Sequence, residues 1–126
     1  MGKIDILVVD DQLGVRSLLS LAFGDLGYLV DTASNGEEGV KKVLELRPRL
    51  VIMDIKMPVK DGITALYEIK GKSPESMVMM MTAYGDADTI EQIKRGGALA
   101  CVPKPFDIED LIKNVDKLLQ NEGEML

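Results

Sequence analysis

The chain has 126 residues, enough for one domain with a substantial core, and 46% hydrophobic and 29% charged residues are typical of a globular protein. A formal net charge of −6 argues against binding to nucleic acid or to anionic membranes, which both require a basic surface. A single cysteine cannot form an internal disulfide, and a chain without histidine cannot use histidine chemistry. The sequence shows neither a signal peptide nor an apolar run long enough to span a bilayer, and we expect a cytoplasmic monomer.

Strand and helix patterns alternate along the chain, because short apolar runs are followed by longer segments with helical periodicity. The predicted strands are residues 4–9, 28–33, 50–53, 77–82 and 98–102. The predicted helices are residues 13–26, 35–46, 63–70, 86–95 and 107–120. Five strand–helix units with short joins predict an α/β fold, a doubly wound sandwich around a parallel sheet.

Two features predict the order of the strands. Pro103, at the end of the fifth strand, has no N–H to donate to a neighbour, so this strand is expected at an edge of the sheet. Alternating polar and apolar residues in the second strand indicate the other edge. The flavodoxin-like order 2-1-3-4-5 satisfies both requirements.

The stretch from Leu50 to Gly62 carries the strongest functional signal. The apolar run at 50–53 is typical of a strand buried on both faces, and Asp54 follows it directly. Asp61 is expected to cap the next helix. Taken alone, Asp54 could be an ordinary capping or loop aspartate. Its position favours a function, because ligands of open parallel sheets bind at the carboxyl ends of the strands.

Polar residues follow other strands at the same edge of the predicted sheet. Asp10 and Asp11 follow the first strand, Thr82 ends the fourth, and Lys104 comes after the fifth. Individually these residues could be a helix cap, a strand residue and a surface lysine. In the predicted order they converge on Asp54, and this conjunction indicates a site.

Such a cleft would suit a hard divalent ion, because clustered carboxylates repel one another and an oxygen-only ligand set favours Mg²⁺, with Mn²⁺ as a substitute. Lys104 adds a positive charge and Thr82 a hydroxyl donor, which together suit phosphoryl transfer. Asp54, at the centre, is the candidate nucleophile that would form an aspartyl phosphate.

Four motifs resemble those of the receiver domains of bacterial two-component response regulators. They are VVDDQ at 8–12, MDIKMPVKDG at 53–62, MTAYG at 81–85 and KPF at 104–106. The resemblance extends over nearly the whole chain. It implies a single receiver domain over residues 1–126, without an output domain.

The resemblance also implies roles for individual residues. Asp54 would be the phosphoacceptor, and Thr82 and Lys104 would contact the phosphoryl group. The implied Mg²⁺ site consists of Asp10, acting largely through water, Asp11, Asp54 and the backbone carbonyl of Lys56. The bond between Lys104 and Pro105 is usually cis in this family.

Within the family, the chain most resembles the free-standing receiver of the sporulation phosphorelay. That resemblance implies transfer from a histidine of a sensor histidine kinase to Asp54, and onward to a histidine of a four-helix histidine phosphotransferase. An aspartyl-phosphate phosphatase is a further implied partner, and self-catalysed loss of the phosphoryl group is expected to be slow.

Cys101 departs from the family pattern, because many receivers carry Tyr or Phe three residues before the lysine. As a residue it is expected to pack as a small hydrophobe. The missing aromatic switch favours a relay over the alternative, a non-enzymatic module that binds an effector protein when phosphorylated. A free-standing phosphatase is disfavoured, because such hydrolases commonly carry a second Asp two positions after the nucleophile, where Lys56 stands.

The first predicted helix is more apolar than one buried face requires. Its expected core-facing residues are Val15, Leu19, Ala22, Phe23 and Leu26. Leu18 and Leu21 project away from that face, either as scattered surface leucines or as a docking ridge for a partner helix that carries the donor histidine. The docking residues of this hypothesis are Gln12, Gly14, Val15, Leu18, Tyr84, Pro105 and Phe106, with Lys56 at the rim.

Overall fold

The computed structural model describes residues 3–83 and 85–124, with side chains up to residue 120. Within these ranges the strands are β1 (Ile6–Val9), β2 (Val30–Ala33), β3 (Leu50–Asp54), β4 (Val78–Thr82) and β5 (Ala100–Pro103). The helices are α1 (Leu13–Asp25), α2 (Gly36–Leu46), α3 (Gly62–Lys72), α4 (Ala87–Arg95) and α5 (Ile108–Glu124). The boundaries lie close to the predicted ones, except that α5 continues past residue 120.

In the described part of the chain, the strands form a parallel five-stranded sheet in the order β2-β1-β3-β4-β5, which confirms the prediction. The central strands β1, β3 and β4 are buried throughout, because their apolar runs are covered by helices on both faces. The edge strands β2 and β5 are only partly buried. The polar pattern of β2 and the proline of β5 therefore marked the edges correctly.

The fifth strand begins later than predicted. Ala98 lies in the turn after α4, because its N–H donates to the Ile93 carbonyl of that helix at 3.2 Å, and the Leu99 N–H is the first to donate to β4, at 2.7 Å. Beyond Pro103, the Lys104 N–H donates to the Thr82 carbonyl at 2.8 Å. The edge strand thus carries Lys104 to the end of β4.

Helix α1 buries Leu19 and Phe23 completely, as predicted. The prediction for Leu26 was wrong, since this side chain is 50% exposed. The helix ends at Asp25, and Leu26 is its C-cap, at φ −87° and ψ 0°, so the helical periodicity that placed Leu26 on the core face ends before this residue.

Two apolar clusters pack on opposite faces of the sheet, because alternate residues of each central strand point to opposite sides. One cluster joins the strands to α2, α3 and α4, and the other joins them to α1 and α5. No helix in the described ranges is both long and apolar enough to cross a bilayer. The rigid sheet holds the ends of its strands in fixed positions, and the candidate site lies there.

Candidate functional site

Three carboxylates lie together at the carboxyl ends of β1 and β3. Asp10 and Asp11 follow β1, Asp54 is the last residue of β3, and one oxygen from each lies within 4.8 Å of the others. Asp10 is fully buried and Asp54 is 8% exposed, whereas Asp11 reaches the solvent. The structure thus brings together the three acidic residues that the sequence placed at one edge.

Lys104 reaches this cluster from the loop after β5. Its Nζ donates to Asp10 Oδ2 at 2.7 Å and lies 3.5 Å from Asp54 Oδ1. The buried Asp10 carboxylate is therefore compensated by a fixed cation, as a buried charge must be. The peptide bond between Lys104 and Pro105 is cis, as the family resemblance implied.

The pKa of Asp54 is raised above its usual range. Burial is the larger cause, since it disfavours the charged form, and repulsion from the Asp10 carboxylate adds to it. The Lys104 ammonium opposes this shift but does not cancel it. Two unit charges about 4 Å apart interact by about 4 kcal/mol at an effective dielectric near 20, so a further cation here would favour ionised Asp54.

A cleft of about 280 Å³ opens over these groups. It is lined by Asp11, Gln12, Asp54, Ile55, Lys56, Thr82, Ala83 and Lys104. Thr82 is buried at the end of β4, one position beyond the residue that pairs with Asp54 in the sheet. The residues predicted to bind the ion and the phosphoryl group, other than the buried Asp10, therefore line one cleft.

A glycine holds the turn after Asp54 in place. The Gly62 N–H donates to the Ile55 carbonyl at 2.7 Å, and a Cβ at this position would come within 2.0 Å of the Asp54 carbonyl oxygen. A side chain at position 62 would push the turn away from the end of β3. Asp61 caps α3, as predicted, by accepting from the Thr64 N–H at 2.8 Å.

Arg16 contributes to the site but was missed in the sequence. Its Nη1 donates to the Asp10 carbonyl oxygen at 2.8 Å, and Asp10 Oδ1 accepts from the Gln12 N–H at 2.9 Å. These bonds tie the turn between β1 and α1 to the start of the helix. The position of Arg16, one helical turn after Gln12, was the signal available, and it was a weak one.

A second concavity, of about 540 Å³ and mostly apolar, adjoins the cleft; we call it the apolar groove. It is lined by Gln12, Val15, Leu18, Ala83, Lys104, Pro105, Phe106 and Ile108. Five of the predicted docking residues are among these. Gly14 is not, and Tyr84 lies outside the described residues.

Leu21 differs from Leu18 in its surroundings. Leu21 is 69% exposed and does not line the apolar groove, whereas Leu18 is 45% exposed and does. The two leucines therefore do not form the predicted ridge together, since Leu18 lines a groove and Leu21 lies outside it. Gln12, Ala83 and Lys104 line both the groove and the cleft, so a molecule seated in the groove would touch the rim of the cleft.

Comparison with known proteins identifies relatives along nearly the whole chain. The family model described as the response regulator receiver domain matches residues 6–116. Sporulation initiation phosphotransferase F of Bacillus subtilis is 43% identical over 90% of this chain, and the match covers 92% of that protein. The regulatory protein AtoC of Escherichia coli is 40% identical over 91% of the chain, which spans only 25% of AtoC.

Solved structures share the fold as well. The crystal structure of the CheX–CheY–BeF3–Mg²⁺ complex from Borrelia burgdorferi matches with a TM-score of 0.85 and 30% sequence identity. The match covers 92% of this chain and 89% of that chain. The likeness therefore extends over the sheet, the helices and the strand ends that carry the cleft.

Proposed function

The chain belongs to the response regulator receiver domain family, and we propose that it accepts a phosphoryl group from the phosphohistidine of a sensor histidine kinase onto Asp54. It then passes the group to a histidine of a four-helix phosphotransferase. The observation that carries this proposal is Asp54 itself, a nearly buried carboxylate that lines an open cleft beside two other carboxylates and 3.5 Å from an ammonium group.

The three carboxylates fit a hard divalent cation, and we propose Mg²⁺, with Mn²⁺ as a substitute. Their oxygens lie within 4.8 Å of one another, and repulsion from Asp10 adds to burial in raising the pKa of Asp54, so a second cation would offset negative charge in the cluster. The ligands would be Asp10, Asp11, Asp54 and the backbone carbonyl of Lys56. Bound there, the ion would neutralise charge on the phosphoryl oxygens.

The transfer step requires a nucleophile and a way to neutralise charge. A carboxylate oxygen of Asp54 attacks phosphorus, the P–O bond forms as the P–N bond of phosphohistidine breaks, and the electron pair returns to the imidazole nitrogen. Lys104 and the Thr82 hydroxyl stabilise the phosphoryl oxygens as they move towards Asp54. Onward transfer is the same exchange in reverse, with a histidine of the phosphotransferase as nucleophile.

Two observations support a relay. The chain spans 92% of a relative that is named as a phosphotransferase of sporulation initiation, and a role in sporulation rests on that relative. Cys101, a half-buried residue of β5, offers no aromatic ring that could turn inward on phosphorylation. A relay needs such a conformational readout less than a module that changes partners does.

The second candidate function is a phosphorylation-switched module that binds an effector protein. It is favoured by a concavity of about 520 Å³ between β5 and α5, which is lined by Cys101 and Phe106 and by the two prolines that flank Lys104. In this alternative, the phosphoryl group stays on Asp54 while the effector is bound.

Transfer of radiolabelled phosphate from an autophosphorylated kinase domain tests the proposal. We expect Mg²⁺-dependent labelling of the wild type and none of Asp54→Asn. Asp31→Asn, which removes a carboxylate of β2 outside the cleft, should be labelled normally. Label on Asp54→Asn would refute the role of Asp54.

Adding a four-helix histidine phosphotransferase to the labelled chain separates the two candidates. A relay component should lose its label to the phosphotransferase within the lifetime of the aspartyl phosphate. Label that stays on the chain while the phosphorylated form gains affinity for an effector would favour the switched module instead.

A further inference from the structure

The amino ends of the strands, at the edge of the sheet opposite the cleft, form a separate concavity of about 330 Å³. The segment before β1, the loop between α2 and β3 and the loop between α3 and β4 build it. Lys3, Arg47 and Arg49 bring three cationic side chains to this concavity, which we call the basic pocket. Such a concentration of positive charge stands out in a chain of net charge −6.

Hydroxyl groups lie beside these cations. Ser73 and Ser76 are both buried, and their Oγ atoms are 2.8 Å apart. Arg47 Nη1 lies 3.5 Å from Ser73 Oγ. Buried hydroxyls next to guanidinium groups are suitable donors for a compact anion.

In the structure, the carboxylate of Glu75 already lies against the donors Ser73 and Arg47. Glu75 Oε1 accepts from Ser73 Oγ at 2.9 Å and lies 3.8 Å from Arg47 Nη1. The side chains of Glu75 and Arg47 are both more than half exposed, so this ion pair is weak and easily displaced. An incoming anion that takes the place of the Glu75 carboxylate would replace this exposed ion pair and would itself accept the hydrogen bond of Ser73 Oγ.

The two arginines differ in how they are held. Arg49 is anchored, because its Nη1 is 3.3 Å from Asp5 Oδ1 and its Nη2 donates to the Leu119 carbonyl at 2.7 Å. Arg47 caps α2 in the left-handed region, at φ 49° and ψ 57°, where glycine or asparagine is usual. An arginine at a backbone position that disfavours it is consistent with a use for its side chain.

We propose that the basic pocket binds a small dianion of the phosphate class, which displaces Glu75 from Arg47 and Ser73. The basic pocket has a volume of about 330 Å³, which admits a phosphate group with a small substituent. The ligand is thus inorganic phosphate or a phosphate monoester. Without a divalent ion, the carboxylates of the cleft repel such a ligand, so binding at the two ends of the sheet can be measured separately.

Titration of the ¹⁵N-labelled chain with inorganic phosphate, and in parallel with phosphoserine, tests this inference by NMR. The titrations use a chelator, pH 7.5 and constant ionic strength, with chloride as the reference anion. We expect saturable shifts confined to the amide signals of the non-proline residues around the pocket, which are Lys3, Arg47, Arg49, Ser73 and residues 75–77. Tighter binding of phosphoserine would support the proposal with a monoester as ligand, and tighter binding of phosphate would support it with the free ion.

Three variants make the outcome decisive. Arg47→Gln should weaken binding about fivefold, as expected for loss of one exposed ion pair, whereas Glu75→Gln should strengthen it about threefold because the competing carboxylate is removed. Arg95→Gln, which removes an exposed charge on α4, should leave the affinity unchanged. Shifts equal to those with chloride, an equal loss in Arg95→Gln, or weaker binding in Glu75→Gln would each overturn the proposal.

Discussion

Lys104 is the residue on which the charge balance of the cleft depends. It contacts Asp10, which is fully buried, at 2.7 Å, and it also lies near Asp54. If its charge were removed, the Asp10 carboxylate would stay buried without its cation. Breaking a buried ion pair by removing one partner typically lowers the free energy of unfolding by about 3 kcal/mol or more.

We predict that Lys104→Gln raises the pKa of Asp54 further, because the Lys104 ammonium is a group that lowers this pKa in the wild type. Carboxyl ¹³C NMR during a pH titration in a chelator measures the change directly. Lys94→Gln, at an exposed position on α4, is the matched control and should leave the pKa of Asp54 where it is. A lower pKa of Asp54 in Lys104→Gln would contradict this electrostatic account.

At the level of the secondary-structure elements, α3 must begin close against the end of β3. This close approach requires the glycine at its first position, since a Cβ on Gly62 would lie 2.0 Å from the Asp54 carbonyl oxygen. A Cβ on Gly71, near the end of the same helix, would meet nothing within 4 Å. Substitutions at these two glycines therefore distinguish the effect of a steric clash from the effect of helix propensity.

We predict that Gly62→Ala lowers the free energy of unfolding by about 2 kcal/mol or more, because the backbone of β3 or α3 must shift. Gly71→Ala should raise it by up to about 0.5 kcal/mol, since alanine has the higher helix propensity and its methyl group would meet no other atom. Urea denaturation of both variants measures these changes, and phosphoryl transfer to Asp54 should be slower in Gly62→Ala alone. Equal stability effects in the two variants would be inconsistent with the close contact.

Helix α1 offers a second pair of matched substitutions, at Leu18 and Leu21, which tests docking of the partner. Leu18→Ala should slow transfer from the phosphohistidine partner about fivefold, because Leu18 lines the apolar groove beside the cleft. Leu21→Ala removes the same atoms from an exposed position outside the groove and should change the rate little. Rates are compared at partner concentrations below saturation, and both variants should keep their unfolding free energy within about 0.5 kcal/mol. Similar rates for both variants would argue against docking in the groove.

At the scale of the whole molecule, the burial of Asp54 in the cleft lowers the free energy of unfolding once this residue is ionised. The pKa of Asp54 is raised above its ordinary value of 3.8 by burial and then by the charge of Asp10. Between the unfolded and folded pKa values the folded protein binds more protons than the unfolded chain, so the free energy of unfolding falls as pH rises through that window. Above the folded pKa, this loss of stability is complete.

We predict that Asp54→Asn raises the free energy of unfolding at pH 7 in a chelator, by about 1 kcal/mol, and that this gain shrinks as the pH is lowered towards 4. Mg²⁺ at tenfold excess over its Kd should add about 1.4 kcal/mol to the wild type and less to the variant. Urea denaturation from pH 4 to 8 provides the measurement, and Asp31→Asn should show no comparable gain. A wild type more stable than Asp54→Asn in the chelator would contradict the prediction.

The order of residues along the chain was enough to predict the elements, the sheet order and the acidic residues of the cleft. Apolar run length and periodicity are local properties, so β3 could be identified from residues 50–53 and the edge strand from Pro103. Asp54 could be placed because it directly follows a buried strand, and parallel strands end at one edge.

Which remote segments meet, and at what distance, was settled only by the folded arrangement of the chain. Leu26 is exposed because α1 ends one residue before it, and Leu18 lines a groove that needs residues far along the chain. Arg16 reaches the backbone of Asp10 only through the geometry of a turn. The basic pocket likewise joins the segment before β1 to two loops at the amino edge. Such contacts depend on the angles at which loops leave the sheet, and local periodicity does not encode those angles.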